Sequence, residues 1–203
     1  MDEIKRSRKI VDLQGLRLVR NKNPQAKVVH CHGVFDVLHG GHLVYFESAK
    51  KFGDILIVTI TADKFVNKGP NRPYFSELVR ASMVAALEVV DYVTISPFPT
   101  AVQVISALRP DYYVKGPDYK DKARDVTGGI YEEENAVKAG GGKLVFTEDE
   151  TFSSSTLINK FFAPWTDEQQ QAIEVALKAG GTEKIEEVLD RISKLNVLVV
   201  GEP

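Results

Sequence analysis

The sequence has one cysteine, Cys31, and one tryptophan among 203 residues. A single thiol cannot form an intramolecular disulfide, so packing and hydrogen bonds must hold the fold, as suits a reducing compartment. No apolar run approaches the roughly 20 residues that cross a bilayer. The opening MDEIKRSRKI also lacks the apolar stretch of a secretory signal. Charge of one sign is missing too, since 26 Lys and Arg against 28 Asp and Glu leave a formal net charge of −2. That balance excludes an overall basic footprint for nucleic acid, so any polyanion must be met by a local cluster of cations. There is no internal repeat and no long low-complexity stretch. A cytoplasmic, soluble chain with no membrane and no nucleic-acid partner is expected.

What is present is an alternation of two hydrophobic patterns. Short β-rich runs at 27–32 (KVVHCH), 55–61 (ILIVTIT), 92–96 (YVTIS), 112–115 (YYVK) and 143–147 (KLVFT) read as strands. Helical patterns lie between them at 41–52, 76–90, 100–108 and 131–139. Strands that alternate with helices and are apolar on both faces predict a parallel sheet with helices on both sides. In such sheets ligands bind at the carboxyl ends of the strands. The expected organisation is a leader helix at 1–26, an α/β domain at 27–165, a helical linker at 166–195, and a strand at 196–203. Ile10, Leu13, Leu16 and Leu18 are available to pack the leader on the core. The linker reads as two short helices broken at Gly180–Gly181, and with the leader it offers a surface for a homodimer. The terminal NVLVVGEP has a buried-strand pattern and is expected to open a second α/β domain, the alternative being an edge strand of the first sheet.

The most informative stretch is GVFDVLHGGH, residues 33–42. Gly33 ends a strand and is expected to permit a turn that a Cβ would resist. His39 falls just before a helix and His42 in its first turn, on one face. The free N–H groups and dipole of a helix N-terminus favour an anion. Two imidazoles beside that end can donate to a phosphate and stabilise charge added in a phosphoryl-transfer transition state. Gly41 between them lets phosphate approach the backbone. A metal pair is the alternative, but no Cys, His or Glu nearby supplies further ligands. His39 could equally be a helix cap. By chance a His-x-Gly-His match is expected about once in two hundred chains of this composition.

Gly33-Val34-Phe35-Asp36 followed by His39-Gly40-Gly41-His42 resembles the signature of the HxGH nucleotidyltransferases, the cytidylyltransferase-like superfamily. The resemblance covers roughly residues 28–162. It implies a Rossmann-like α/β domain, a Mg²⁺–nucleoside triphosphate substrate, a small phosphorylated acceptor and no covalent enzyme intermediate. It assigns catalytic roles to His39, His42, Lys68 and Arg80, with Gly33, Val34, Phe35, Asp36 and Gly41 at the nucleotide. Lys68 lies in the basic loop NKGPNRP, whose Arg72 is a candidate substrate contact. Ser153, Ser154, Ser155 and Thr156 open a later helix, where they act both as N-cap and as donors to the triphosphate. Lys115 and Asp118, after the fourth strand, are further nucleotide or substrate contacts. Gly128–Gly129 and Gly140–Gly142 read as loop and helix-stop residues, and Cys31 as core.

Within the superfamily, NKGPNRP, PDYYVKGPDY and GGK look closest to heptose-phosphate nucleotidyltransferase domains, which favours ATP over CTP. The terminal VLVVGEP resembles the first strand of ribokinase-like sugar kinases, which implies a fused sugar kinase domain in the intact protein. The alternatives are a glycerol-3-phosphate-type cytidylyltransferase and a nucleotide-binding regulatory module without turnover.

Overall fold

A computed structural model describes residues 7–69, 71–119, 129–148 and 167–194. The chain divides into two units, Met1–Ser154 and Ser155–Pro203. In the first, helix α1 (Leu13–Lys22) precedes strand β1 (Val28–Gly33), α2 (Gly40–Lys50), β2 (Ile55–Thr61), α3 (Glu77–Ala85) and β3 (Tyr92–Ser96). Then come α4 (Val102–Leu108), β4 (Tyr112–Lys115), α5 (Gly129–Ala139) and β5 (Lys143–Phe146). Every strand pair is parallel, in the order β3-β2-β1-β4-β5. The expected Rossmann-like doubly wound α/β sheet is therefore present. Its order reverses between β1 and β4, and the carboxyl edge at that reversal is where such sheets take ligands.

Alternation along β1 sends neighbouring side chains to opposite faces. Val29 and Cys31 join Phe46 and Ala49 of α2 and Ala81, Val84 and Ala85 of α3 in the largest core cluster. Val28, on the other face, packs with Leu16 of α1, Ile57 and Leu108 of α4. Tyr113 completes that face with Ile105 and Val137 of α5. Cys31 is fully buried, and burial pushes its thiol up to about 12, as befits a core residue.

The face under α1, α4 and α5 is unusually polar. Register places Thr94, Thr59 and His32 side by side across β3, β2 and β1. The Thr59 hydroxyl lies 2.8 Å from His30 Nε2 and 2.8 Å from His32 Nδ1. His32 Nε2 lies 3.3 Å from Thr61 Oγ1. Burial holds the His30 imidazole well below its usual range and lowers His32 to about 3, so both rings are neutral.

The leader closes one sheet edge. Val11 N–H donates to Val93 O at 2.9 Å, and Val93 N–H donates to Lys9 O at 2.8 Å, so β3 does not end the sheet as a bare strand. Leu16 is fully buried, whereas Leu18, expected to pack as well, is 57% exposed. Asp12 caps α1 by accepting Gly15 N–H at 2.7 Å. Asp111 Oδ2 accepts from Arg20 at 2.9 Å and from Val28 N–H at 2.8 Å, tying α1 to the starts of β1 and β4.

The second unit contains α6 (Asp167–Lys178) and α7 (Gly181–Ser193), parted by left-handed Gly180 and Gly181 as the sequence suggested. Residues 196–203 lie outside the described residues. No helix among the described residues is long and apolar enough to cross a membrane.

Gly142 turns the chain from α5 into β5 where there is no room for a side chain. A Cβ there would sit 2.1 Å from the Pro110 carbonyl oxygen, a rigid backbone atom. Gly142→Ala should lower the stability of the first unit by about 2 kcal/mol or more. Urea denaturation of both forms checks this, and an unchanged midpoint would refute the tight approach.

Candidate active site

The carboxyl ends of β1 and β2 carry the site. After Gly33 the backbone passes through left-handed conformations at Phe35 (φ 49°) and Val37 (φ 52°), which cost about 1 kcal/mol or more for residues with a Cβ. Gly33 itself does not have a positive φ, which corrects the expected reason for glycine there. A Cβ at 33 would lie 3.0 Å from the Phe35 ring, so glycine makes space for an aromatic folded back under the loop.

His39 is the N-cap of α2 and His42 lies in its first turn. Gly41 N–H donates to His39 Nδ1 at 3.1 Å, and His39 N–H donates to His42 Nδ1 at 3.4 Å. The two rings are tilted by 31° with centroids 4.0 Å apart, and Phe35 meets His42 edge-on at 5.6 Å. His39 Nε2 is buried without a hydrogen-bond partner in the protein. Burial lowers the pKa of both histidines, His42 to about 4, with smaller contributions there from His39 and Lys68. A Cβ at Gly40, beside them, would meet nothing within 4 Å.

Lys68 approaches from the loop after β2, near enough for its charge to be felt at His42. Its own pKa is lowered by desolvation and by Arg72, while Asp36 pulls it up. Asp36 is almost wholly buried and serves the backbone: Oδ2 accepts Tyr74 N–H at 2.8 Å, and Oδ1 accepts Phe75 N–H at 3.1 Å. Arg72 Nε lies 3.6 Å from Asp36 Oδ2. The expected nucleotide-contact set of Val34, Phe35 and Asp36 thus builds the loop under the histidines.

Arg80, expected at the phosphates, is fully buried. Nε donates to Phe75 O at 3.0 Å and NH1 to Val34 O. NH2 donates to Thr61 O at 2.8 Å and to Asp63 Oδ1 at 2.6 Å. The guanidinium is a clamp between segments of the site, and protein acceptors occupy its fork.

Lys115 comes to the same sheet edge but is buried, pairing with Glu133 of α5 at 2.9 Å. Its ammonium also lies over the rings of Tyr113, at 5.3 Å, and Tyr119, at 4.6 Å. Glu133 was missed in the sequence, although a carboxylate in the stripe Ile130–Glu133–Val137 is a readable signal of a buried partner. Asp118 lies in the 3-10 turn Pro117–Tyr119 that follows β4. Ser153, Ser154, Ser155 and Thr156 lie outside the described residues. Among the described residues no group of three or more His, Cys, Asp or Glu converges to hold a metal.

A doubly wound sheet with an imidazole pair capping the first crossover helix, and a lysine beside it, defines a domain that handles phosphate. Residues 30–161 match the cytidylyltransferase-like family, and the chain belongs to it as a nucleotidyltransferase domain. The curated relatives include the Bifunctional protein HldE of Helicobacter acinonychis, 38% identical over 161 residues, covering 78% of this chain and 32% of that protein. The Bifunctional protein HldE of Campylobacter jejuni subsp. doylei is 48% identical over 103 residues, 50% of this chain and 22% of that protein. The chain thus spans a third or less of the length of these relatives. Among solved structures, a lipopolysaccharide core biosynthesis protein from Thermoplasma volcanium superposes with a TM-score of 0.52 at 28% identity, covering 62% of this chain and 99% of that one. The pantoate-β-alanine ligase of Francisella tularensis (TM-score 0.51, 17% identity, 73% of this chain and 69% of that one) shares the fold.

Two outcomes follow from the geometry. Arg80→Lys cannot reproduce a fork with four acceptors, and leaving two buried carbonyls unpaired costs about 3 kcal/mol or more. Urea denaturation should show that loss, whereas a phosphate ligand would leave stability intact and weaken only nucleotide binding. The second outcome concerns pH. A histidine is half-protonated near pH 6.5 in the unfolded chain, but only at about 3 for His32 and about 4 for His42 in the folded one. Below pH 6.5 the unfolded state therefore binds more protons, and stability falls as pH falls, by up to about 1.4 kcal/mol per unit for each ring. Denaturation midpoints between about pH 6.5 and 5, above the carboxylate range, should show this slope. A flat profile would mean that the rings are not desolvated.

Proposed function

We propose that this domain transfers a nucleoside monophosphate from a Mg²⁺–nucleoside triphosphate to a sugar phosphate of the heptose 1-phosphate kind, releasing pyrophosphate. The observation that carries the reading is the His39–His42 pair at the N-terminus of α2, with Lys68 brought beside it from a different loop. The similarity to Bifunctional protein HldE and to a lipopolysaccharide core biosynthesis protein supports a cell-envelope sugar as acceptor and ATP as the donor, ahead of CTP. Because the HldE relatives are much longer and bifunctional by name, the similarity to them supports a fused sugar kinase domain in the intact protein.

In the reaction an acceptor phosphate oxygen, ionised at neutral pH, attacks the α-phosphorus. The bond from that phosphorus to the bridging oxygen breaks, and the electron pair leaves with pyrophosphate. No strong general base is required. His39 and His42 donate hydrogen bonds to the transferring group, whose oxygens gain charge at the transition state. Lys68 and Arg72 draw in the β- and γ-phosphates and the acceptor, while Arg80 and Asp36 hold the two loops in place. Ser153, Ser154, Ser155 and Thr156 are assigned to orient the leaving pyrophosphate, and Lys115 and Asp118 to nucleotide or substrate contacts, by the family resemblance. Mg²⁺ enters as part of the triphosphate substrate and neutralises its charge. Most of the rate comes from positioning and electrostatics.

Pyrophosphate release with Mg²⁺ tests this, crossing ATP, CTP, GTP and UTP with heptose 1-phosphate, other sugar 1-phosphates and glycerol 3-phosphate. Release is expected with ATP and a sugar 1-phosphate, and His39→Ala should reduce it by about 10²–10³-fold. Turnover only with CTP and glycerol 3-phosphate would reassign the substrates. Nucleotide binding without release on any acceptor would make the domain a regulatory module.

A further inference from the structure

The reciprocal hydrogen bonds that cap α2 also decide where the histidine protons sit. Gly41 N–H points at Nδ1 of His39 at 3.1 Å, and His39 N–H points at Nδ1 of His42 at 3.4 Å. A backbone N–H can only donate, so both Nδ1 atoms must accept and neither can carry a proton. The one proton of each neutral ring is then on Nε2. His39 Nε2 is buried and has no acceptor in the protein, although it must be a donor.

We propose that the α2 cap locks His39 and His42 as Nε2–H tautomers, so that both act on the transferring phosphoryl group as neutral hydrogen-bond donors and never as imidazolium ions or general bases. This rests on the nucleotidyltransferase reading for its substrate, but not for the lock itself. An imidazolium would need a proton on Nδ1. It would turn an acceptor into a donor facing a backbone N–H and would break the cap. The surroundings act the same way: the ring centroids are only 4.0 Å apart, the Lys68 charge is felt at His42 and the Arg72 charge at Lys68, with Asp36 the opposing carboxylate at Lys68. A second positive charge is resisted from every one of these sides except Asp36. A general base would need a bare Nε2, which the cap forbids for the same reason. What remains is a pair of preset dipoles, which need no reorganisation when charge develops on the phosphoryl oxygens.

Nitrogen-15 spectra of histidine-labelled protein over the full chain, free and with Mg²⁺–ATP, read the tautomers directly. Between about pH 6 and 8, spanning the ordinary histidine range, both rings should show an unprotonated Nδ1 and a protonated Nε2 in each state. A protonated Nδ1 or a doubly protonated ring on either histidine overturns the lock, whether or not an acceptor has been found. Substitutions give an independent readout. Asparagine at 39 can still accept from Gly41 N–H but has no donor at the Nε2 position. His39→Asn should therefore keep the denaturation midpoint and lose turnover by about 10²–10³-fold. Glutamine carries a neutral amide N–H near the Nε2 position, so His42→Gln should retain more turnover than His42→Asn. Activity that falls as pH rises through about 6.5, the ordinary histidine range, would show that the charged ring is the working form and would overturn the proposal. Failure of every acceptor with the tautomers intact would instead count against the assigned reaction.

Discussion

The Arg80 guanidinium sits where three stretches of chain would otherwise part: the exit of β1 at Val34, the exit of β2 at Thr61 and Asp63, and the entry to α3 at Phe75. Parallel strands deliver their loops to a single edge, so those loops share one crowded space and cannot be ordered by the sheet ladder. A planar fork with five N–H groups can satisfy carbonyls from several directions at once, which an ammonium cannot. Asp36 completes the arrangement from the other side by accepting the N–H groups of Tyr74 and Phe75. The loop before α2 and the basic loop before α3 are therefore laced together by one buried cation and one buried carboxylate. The left-handed backbone at Phe35 and Val37 is held against its own strain by this lacing. The directions of His39 and Lys68 depend on both loops.

The two faces of the sheet solve different problems. Beneath α2 and α3 the core is almost wholly aliphatic and aromatic, which gives α2 a firm seat through Phe46 and Ala49. On the opposite face several buried polar groups are paired, since His30 and His32 share the Thr59 hydroxyl and Lys115 meets Glu133, while His30 Nδ1 and the Tyr113 hydroxyl have no hydrogen-bond partner among the described residues. Replacing such groups with well-packed hydrophobes is often no loss of stability, so their presence is better explained by order than by strength. The His32–Thr61 contact joins the ends of β1 and β2 just below the point where Arg80 takes the Thr61 carbonyl. Polar interior and clamp form one continuous network under the site.

Much of this was legible in the residues. Short β-rich runs, apolar on both faces, located the five strands of the sheet, and glycines 180 and 181 marked the break between the last two helices. The histidine motif marked the start of α2, where His39 is the cap and His42 lies in the first turn. The reasons were less legible than the places. Gly33 reads as a turn residue, yet what excludes a side chain there is the ring of Phe35, a contact made only once the loop folds back. Arg80 reads as a phosphate contact because the family resemblance assigns it that role. Its position with Ala81, Val84 and Ala85 on the buried side of α3 pointed the other way. Glu133 gave the same kind of signal from the apolar stripe of α5, and only the spatial neighbourhood of β4 supplied its partner. One-dimensional patterns report which face a residue occupies but not what waits there.

The division of labour among the polar groups follows from charge. A triphosphate and a phosphorylated acceptor repel one another, and a protein of net charge −2 adds no general attraction. In the proposed reaction Lys68 and Arg72 bring the anions in, and both stand on a loop that buried contacts keep in place. If the imidazoles were charged as well, four cations would stand close together against the single carboxylate of Asp36. Their repulsion would press on the loop that carries two of them. Neutral rings avoid this: they can lie with centroids 4.0 Å apart, cap a helix and still present N–H groups to oxygen. Such donors respond to where charge appears as well as to how much there is. That response separates a transition state, with charge growing on the transferring group, from a ground state in which charge lies mostly along the triphosphate. In the proposed reaction the cations set how tightly the substrates are held, and the neutral pair sets how much more tightly the transition state is held than they are.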